Sequence, residues 1–172
     1  MKKIIISVFI ALTLCVAGFC EERPAVTGWN GAEWGMDKTQ IKGVFENAEI
    51  LTDRKQGGAL YDGLKISDYE INGKKYSVIF EMDAKTDKLK LVRLIHKPCL
   101  ESMFGEIKSI LSSKYGQPLS DEKSRMMGDY HKSARWKPPQ TDIELVYHYN
   151  KYFGGVVNII YTEAAEIDTN KF

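Results

Sequence analysis

YEINGKKYSVIFEM, residues 69 to 82, is the stretch on which the reading of this chain turns. Asn72 and Gly73 both tolerate positive φ, so they make a two-residue hairpin turn that sets Ile71 opposite Lys74 and Tyr69 opposite Tyr76. Counting outward from the turn places Tyr76, Val78, Phe80 and Met82 on one face of the hairpin, together with Tyr69. Leu64 and Ile66 have the opposite parity to Tyr69 and Ile71, which predicts a bulge or bend near Ser67 and Asp68. The polar run DAKTDK, residues 83 to 88, is a turn. LKLVRLIH, residues 89 to 96, is a third strand, apolar enough to be covered on much of both faces and ended by Pro98.

Upstream, WGMDKTQIKGVF, residues 34 to 45, starts a helix. Ile41, Val44, Phe45 and Ala48 recur at three-and-four spacing, with Asp37 as N-cap and Gln40 at the third helical position, an acidic variant of the capping box. Met36 and Ile41 take the positions of a hydrophobic staple. Burying Ile, Val or Phe contributes about 1.5–3 kcal/mol each, so packing dominates and the cap fixes where the helix begins. Trp34 inserts into the core beside the helix, and Gly35 permits a tight backbone approach; an exposed Trp34 would instead be a ligand platform.

Downstream, Met103, Phe104, Ile107, Ile110, Leu111 and Tyr115 form the stripe of a second helix, with Gly116 as its C-cap and Pro118 just beyond. SDEKSRMMGD, residues 120 to 129, reads as a polar loop. In DYHKSARW, Tyr130, Lys132, Ala134 and Trp136 alternate against His131, Ser133 and Arg135; in IELVYHY, Ile143, Leu145, Tyr147 and Tyr149 share a face. KPPQTD connects these two strands, because Pro138 and Pro139 cannot donate to a ladder. NKYFGG turns the chain into a last strand, VVNIIYT, residues 156 to 162. The pattern of helix then three strands, stated twice, predicts an α+β fold. It would hold two tandem helix-β-β-β units, about 34–97 and about 98–163, in an antiparallel sheet with both helices packed on one face.

The chain has 172 residues and a formal net charge of +1. Its first twenty residues, MKKIIISVFIALTLCVAGFC, carry Lys2 and Lys3, an apolar run from Ile4 to Leu14 and then small residues, the pattern of an export signal. Cleavage after Gly18 or after Cys20 both fit. Residues 21–172 then form a single domain of about 150 residues, periplasmic or secreted. Cys15 follows Leu14 and Cys20 follows Phe19, whereas a lipobox wants a small residue there, so soluble export fits better than lipidation and membrane association would require the lipid. The 24 basic residues less Lys2 and Lys3 leave 22 against 23 acidic ones, a balance that argues against a nucleic-acid partner. Cys99 has no partner once Cys15 and Cys20 are removed, which fits a small buried hydrophobe.

The landmarks Trp34-Gly35 before a capped helix, KYGQP at residues 114 to 118, Trp136, IELVY and a final strand ending in Tyr161 resemble a group of exported bacterial domains. That group has a WG-x-(S/T/D) helix start and a KYG-x-P helix end. In architecture alone, the tandem units are similar to the beta-lactamase inhibitor protein and the small lipoprotein of the outer-membrane barrel assembly machinery. The resemblance implies binding to another protein through a sheet face or its loops, although no inhibitor contact residue can be matched and the lipobox is missing. Fold analogy alone confers no function.

Signals for chemistry are sparse. His96, His131 and His148 sit in separate strands without metal-motif spacing, Asp129 and His131 being the nearest approach, so no metal and no cofactor are expected. There is no G-x-S-x-G elbow and no sequence-adjacent His to activate Cys99. Gly57 and Gly58 lack the Walker Lys-Ser or Lys-Thr and read as a connection. Lys85, Lys88, Lys90, Arg93 and Lys97 read as a solvated sheet edge, with anionic lipid or glycan contact as the alternative. Aromatic residues crowd the last hairpin: Tyr147, Tyr149, Tyr152 and Phe153, with Tyr130 and Trp136 in the strand before. Rings with polar tips suit interfaces; Tyr147 and Tyr149 fit the core of the second half equally well, whereas Tyr152 and Phe153 fall in a turn and fit an interface better. The expected function is a non-catalytic module of the bacterial cell envelope that binds a protein partner. The alternative is a small envelope hydrolase or a glycan- or lipid-binding protein. The sequence carries no signature of an oligomeric state.

Overall fold

The computed structural model describes residues 25–51, 62–126 and 128–165; the expected export segment at residues 1–20 and the Gly57-Gly58 connection lie outside them. Among the described residues the elements run β1 (Gly28–Trp29), β2 (Ala32–Glu33), α1 (Lys38–Val44), β3 (Glu49–Ile50), β4 (Gly63–Ile71), β5 (Lys74–Met82), β6 (Leu89–Cys99), α2 (Ser102–Tyr115), β7 (Ser120–Met126), β8 (Asp129–Trp136), β9 (Thr141–Asn150) and β10 (Gly154–Glu163). β1 and β2 form a small ribbon, and the remaining strands form one antiparallel sheet in the order β3-β4-β5-β6-β10-β9-β8-β7.

This corrects the expected α+β plan of two helix-β-β-β units under a shared helical layer. The protein is mostly β, with one continuous eight-stranded sheet and helices of only 7 and 14 residues. Each helix is followed by four strands rather than three. α1 buries a single residue of its own, Ile41, so it is too slight to serve as a sheet-covering layer. Trp29 and Phe45 do much of that work: their rings stack at 5.9 Å, and Phe45 lies 5.2 Å from Phe80. Val44, expected on the apolar stripe, is 43% exposed, and Ile110 of α2 is 57% exposed. At 100° per residue Ile110 lies about 90° from the centre of the stripe made by Met103, Phe104, Ile107, Leu111 and Tyr115.

The decisive hairpin has Ile71 opposite Lys74 and Tyr69 opposite Tyr76, and the ladder slips between Ile66 and Tyr69. Asn72 and Gly73 take φ of 51° and 72°, the pair of positive values that a two-residue turn of primed type requires. A single hydrophobic cluster joins Leu64, Val78, Phe80, Val92, Leu94, Leu145 and Val157 of the sheet to Ile41, Phe45 and the α2 stripe.

Three further expectations are corrected. Pro98 does not end β6, which continues to Cys99. The ladder to β10 is irregular between Val157, opposite His96, and Gly155, opposite Cys99, so Pro98 sits where a regular donor is not called for. The segment read as a polar loop is β7, an exposed edge strand pairing with β8 from Ser120↔Arg135 to Met126↔Asp129. It lacks apolar alternation because the side chains of residues 121–125 are all exposed, as suits an edge. The basic run is not at an edge, since β6 is central. Acids pair with three of its five members: Lys88 Nζ is 3.5 Å from Asp37 Oδ2, Lys90 Nζ 3.3 Å from Asp83 Oδ2 and Arg93 Nη2 3.3 Å from Glu81 Oε1.

Candidate functional site

The aromatic residues at the last hairpin separate into two groups. Tyr147 and Trp136 are buried, and Tyr130 is half-buried against the core. The Tyr130 and Tyr147 rings meet edge-on at 6.4 Å, and burial pushes the Tyr147 phenol up. Tyr130 donates its hydroxyl to Glu101 Oε1 at 3.2 Å, just before α2, and the Lys132 ammonium lies 5.4 Å from its ring. Lys132 points inward with Tyr130, its charge paired with Glu101, which pushes its own pKa up. Trp136 Nε1 donates to the Gly116 carbonyl at 2.9 Å, tying β8 to the C-cap of α2. These residues hold the helix to the sheet.

Tyr149, Tyr152 and Phe153 remain outside, at 40%, 74% and 83% exposure. Local chemistry fixes how the last two are displayed. The Asn150 carbonyl accepts from Phe153 N at 3.2 Å, its Oδ1 accepts from Tyr152 N at 2.8 Å, and Gly154 follows at φ 76°. This is the three-residue hairpin loop in which a turn is followed by a left-handed glycine. The register Tyr149↔Gly155 then resumes. Cys99 pairs with Gly155 on the other side of β10, so Leu100, 78% exposed, projects from the same end of the sheet. Lys151 Nζ lies 4.8 Å from the Tyr152 ring centroid. The result is a small apolar knob with a cationic rim. Cys99 itself is half-buried against the core, and burial pushes its thiol up.

The residues expected to support the first helix are also resolved. Asp37 accepts from Gln40 N and the Gln40 side chain accepts from Asp37 N, each at 3.0 Å. These bonds, with Lys88 nearby, hold the Asp37 carboxyl below its usual range. Trp34 is half-buried, and its Nε1 donates to Thr141 Oγ1 at 2.9 Å. Gly35 needs its glycine for a φ of 81° rather than for close packing, since an added Cβ would meet nothing within 4 Å.

Two clefts were not legible in the sequence. One, about 660 Å³, runs between the β1–β2 ribbon and the end of α2, lined by Trp29, Asn30, Tyr69, Lys114, Tyr115 and Tyr161. Trp29 meets Tyr69 edge-on at 5.3 Å, and Asn30 Nδ2 donates to the Tyr69 hydroxyl at 2.6 Å. Tyr161 on its floor is buried, which pushes its phenol up, as does the neighbouring Tyr115. The other, about 950 Å³, lies at Trp34, Lys137, Pro138, Pro139 and Glu163. A signal for the first existed in Trp29, but β1 and β2 are two residues each and leave no periodicity to read.

His131 and His148 come together as well, directly opposite each other on β8 and β9 with ring centroids 6.5 Å apart. Neither lines either of these clefts. His96 is remote from them in the sheet, its Nδ1–H donating to the Lys75 carbonyl at 2.7 Å. Among the described residues no helix is long and apolar enough to cross a membrane.

No family model matches the chain, and no curated protein matches it. Among solved structures it is similar to the crystal structure of a DUF4309 family protein (YjgB) from Bacillus subtilis, at 10% identity and a TM-score of 0.44, covering 84% of this chain and 89% of that one. A likeness this slight carries no argument about what the protein does.

Proposed function

We propose that this chain is a non-catalytic binding module of the bacterial cell envelope that docks a protein partner through the β9–β10 turn. One observation carries the reading: Tyr152 and Phe153 stand in water at 74% and 83% exposure on a turn whose backbone is already fixed by Asn150 and Gly154. Exposing two rings costs solubility with no return to the core, and a locked turn removes much of the ordering cost that a contact loop otherwise meets on binding. Aromatic residues are enriched among those that dominate interface energies. Export is supported by the N-terminal pattern of Lys2, Lys3 and the apolar run that follows.

The test is a photo-reactive amino acid at position 152 in intact cells, with one at position 85 as a control on the opposite turn, followed by titration of the purified captured protein. Wild type binds it, and Tyr152→Ser with Phe153→Ser lowers affinity at least tenfold while leaving the melting temperature in place. Unchanged affinity refutes the reading, as does binding of the knob to lipid vesicles in place of any protein. A second reading, glycan binding, is favoured by Trp29, Tyr69 and Asn30 in the 660 Å³ cleft, where ring faces and an amide suit a sugar. Quenching of tryptophan emission by oligosaccharides, lost in Trp29→Phe, distinguishes it.

A further inference from the structure

We infer that His131 and His148, with Asp129, form a binding site for a divalent transition-metal ion on the outer surface of the β8–β9 ladder. The two histidines are direct cross-strand partners, flanked on both sides by the pairs Tyr130↔Tyr149 and Lys132↔Tyr147. Their Cβ atoms are therefore held at the short separation of opposed residues in an antiparallel ladder. Parity sends Tyr147 and Lys132 inward, toward Tyr130 and Phe104, and both imidazoles outward.

The ring centroids lie 6.5 Å apart with planes inclined at 58°. An imidazole nitrogen binds zinc at about 2.0–2.1 Å, which puts each ring centroid about 3 Å from the ion and two rings on one ion about 5–6 Å apart. The observed pair needs to close by only about 1 Å, a side-chain adjustment.

A carboxylate stands beside them. Asp129 Oδ2 is 4.0 Å from His148 Nε2, while its other oxygen, Oδ1, accepts from Asn150 Nδ2 at 2.7 Å. A hydrogen bond to one oxygen of a ligating carboxylate orients the other, the usual outer-shell device of metal sites. His148 and Asp129 are 45% and 44% exposed at their side chains, so water can complete the coordination.

Among the described residues no group of three or more His, Cys, Asp or Glu side chains is placed to hold a metal ion. The site is accordingly a two-imidazole clamp that Asp129 completes by turning toward the ion. Imidazole donors favour copper(II), nickel(II) and zinc(II) over calcium and magnesium, with copper(II) bound most tightly.

Calorimetric titration of the purified protein with copper(II), nickel(II) and zinc(II) chlorides tests this. One ion binds per chain. His131→Ala and His148→Ala each weaken binding by no less than the about 10- to 100-fold that even an outer-shell partner is worth. Asp129→Asn has a smaller effect and His96→Ala none. Should the variants fold poorly, zinc titration of the wild type read by histidine ring NMR signals is decisive: those of His131 and His148 shift together while His96 stays in place. Equal affinity in the His131→Ala, His148→Ala double variant overturns the inference. So does the absence of binding by all three ions, or a zinc shift confined to His96.

Discussion

Trp136→Phe separates the two roles available to an aromatic residue near the last hairpin. In the structure Trp136 is 2% exposed, lies opposite Ile143 and donates to the Gly116 carbonyl at 2.9 Å. Phe lacks the donor, so the half-buried Gly116 carbonyl loses its partner, which costs up to about 1–3 kcal/mol. The lost second ring adds a packing deficit. Truncating a buried Trp fully costs about 3–5 kcal/mol and Phe retains most of the contact, so about 1 kcal/mol is assigned to it. The expected loss is about 2–4 kcal/mol, a large share of the 5–15 kcal/mol typical of a domain. At about 2–4 °C per kcal/mol, the melting temperature falls by about 4–16 °C. Urea unfolding followed by circular dichroism reads it as a lower midpoint at unchanged slope. Partner binding well below the transition stays as in wild type, because Trp136 faces the core. A stability change under about 0.5 kcal/mol, the size of an ordinary surface effect, would refute the buried tie between β8 and α2.

Gly155→Ala is expected to destabilise by at least about 1–3 kcal/mol, the range for overpacking. Its Cβ would sit 2.2 Å from the Cys99 carbonyl oxygen and 2.7 Å from the Tyr147 hydroxyl, and a melting curve indistinguishable from wild type would contradict the β6–β10 register. Ile41 is fully buried and Val44 is 43% exposed, so Ile41→Ala costs about 2–5 kcal/mol while Val44→Ala stays within about 0.5 kcal/mol; reversal of that order in chemical denaturation would move the face of α1. The Lys85 and Thr86 amides hold the Asp83 carboxyl at about 2, below its ordinary 3.8. Because the folded value is depressed, the contribution of Asp83 is complete above its ordinary value and is lost as pH falls from there through about 2. The gap in melting temperature between wild type and Asp83→Ala narrows over that window, and a gap constant from pH 5 to pH 2 would show that the turn does not depend on the charge.

How much of this was legible can be seen residue by residue. Asn72-Gly73 fixed its own hairpin, and the parity of Leu64 and Ile66 against Tyr69 located the slip in the ladder, because a one-residue shift turns every side chain to the wrong face. Asp37 and Gln40 are three residues apart and needed no tertiary information. β7 escaped because an edge strand solvated on its faces has no apolar period. Tyr130 and Trp136 read in sequence as interface candidates because ring chemistry suits both a core and an interface, and only the approach of Glu101 and Gly116 at the two ends of α2 distinguishes them. The alternation in each strand puts His131 with Ser133 and Arg135, and leaves His148 off the face of Tyr147 and Tyr149. Their meeting depended on the Trp136↔Ile143 register across Lys137–Gln140, which proline-containing connections do not announce.

The sheet order places β6 against β10, so the middle of the molecule is sewn from segments more than fifty positions apart, while its flanks are sewn from neighbours. In a chain delivered from its N-terminus, β4, β5 and β6 are all present before β10, and the outer rim of β6 has no complement until β10 follows. Pairings of that separation are slow, and an apolar ribbon left open invites association with other nascent chains. Folding of this protein therefore passes through an interval of vulnerability whose length is set by how quickly residues 100 to 163 follow β6.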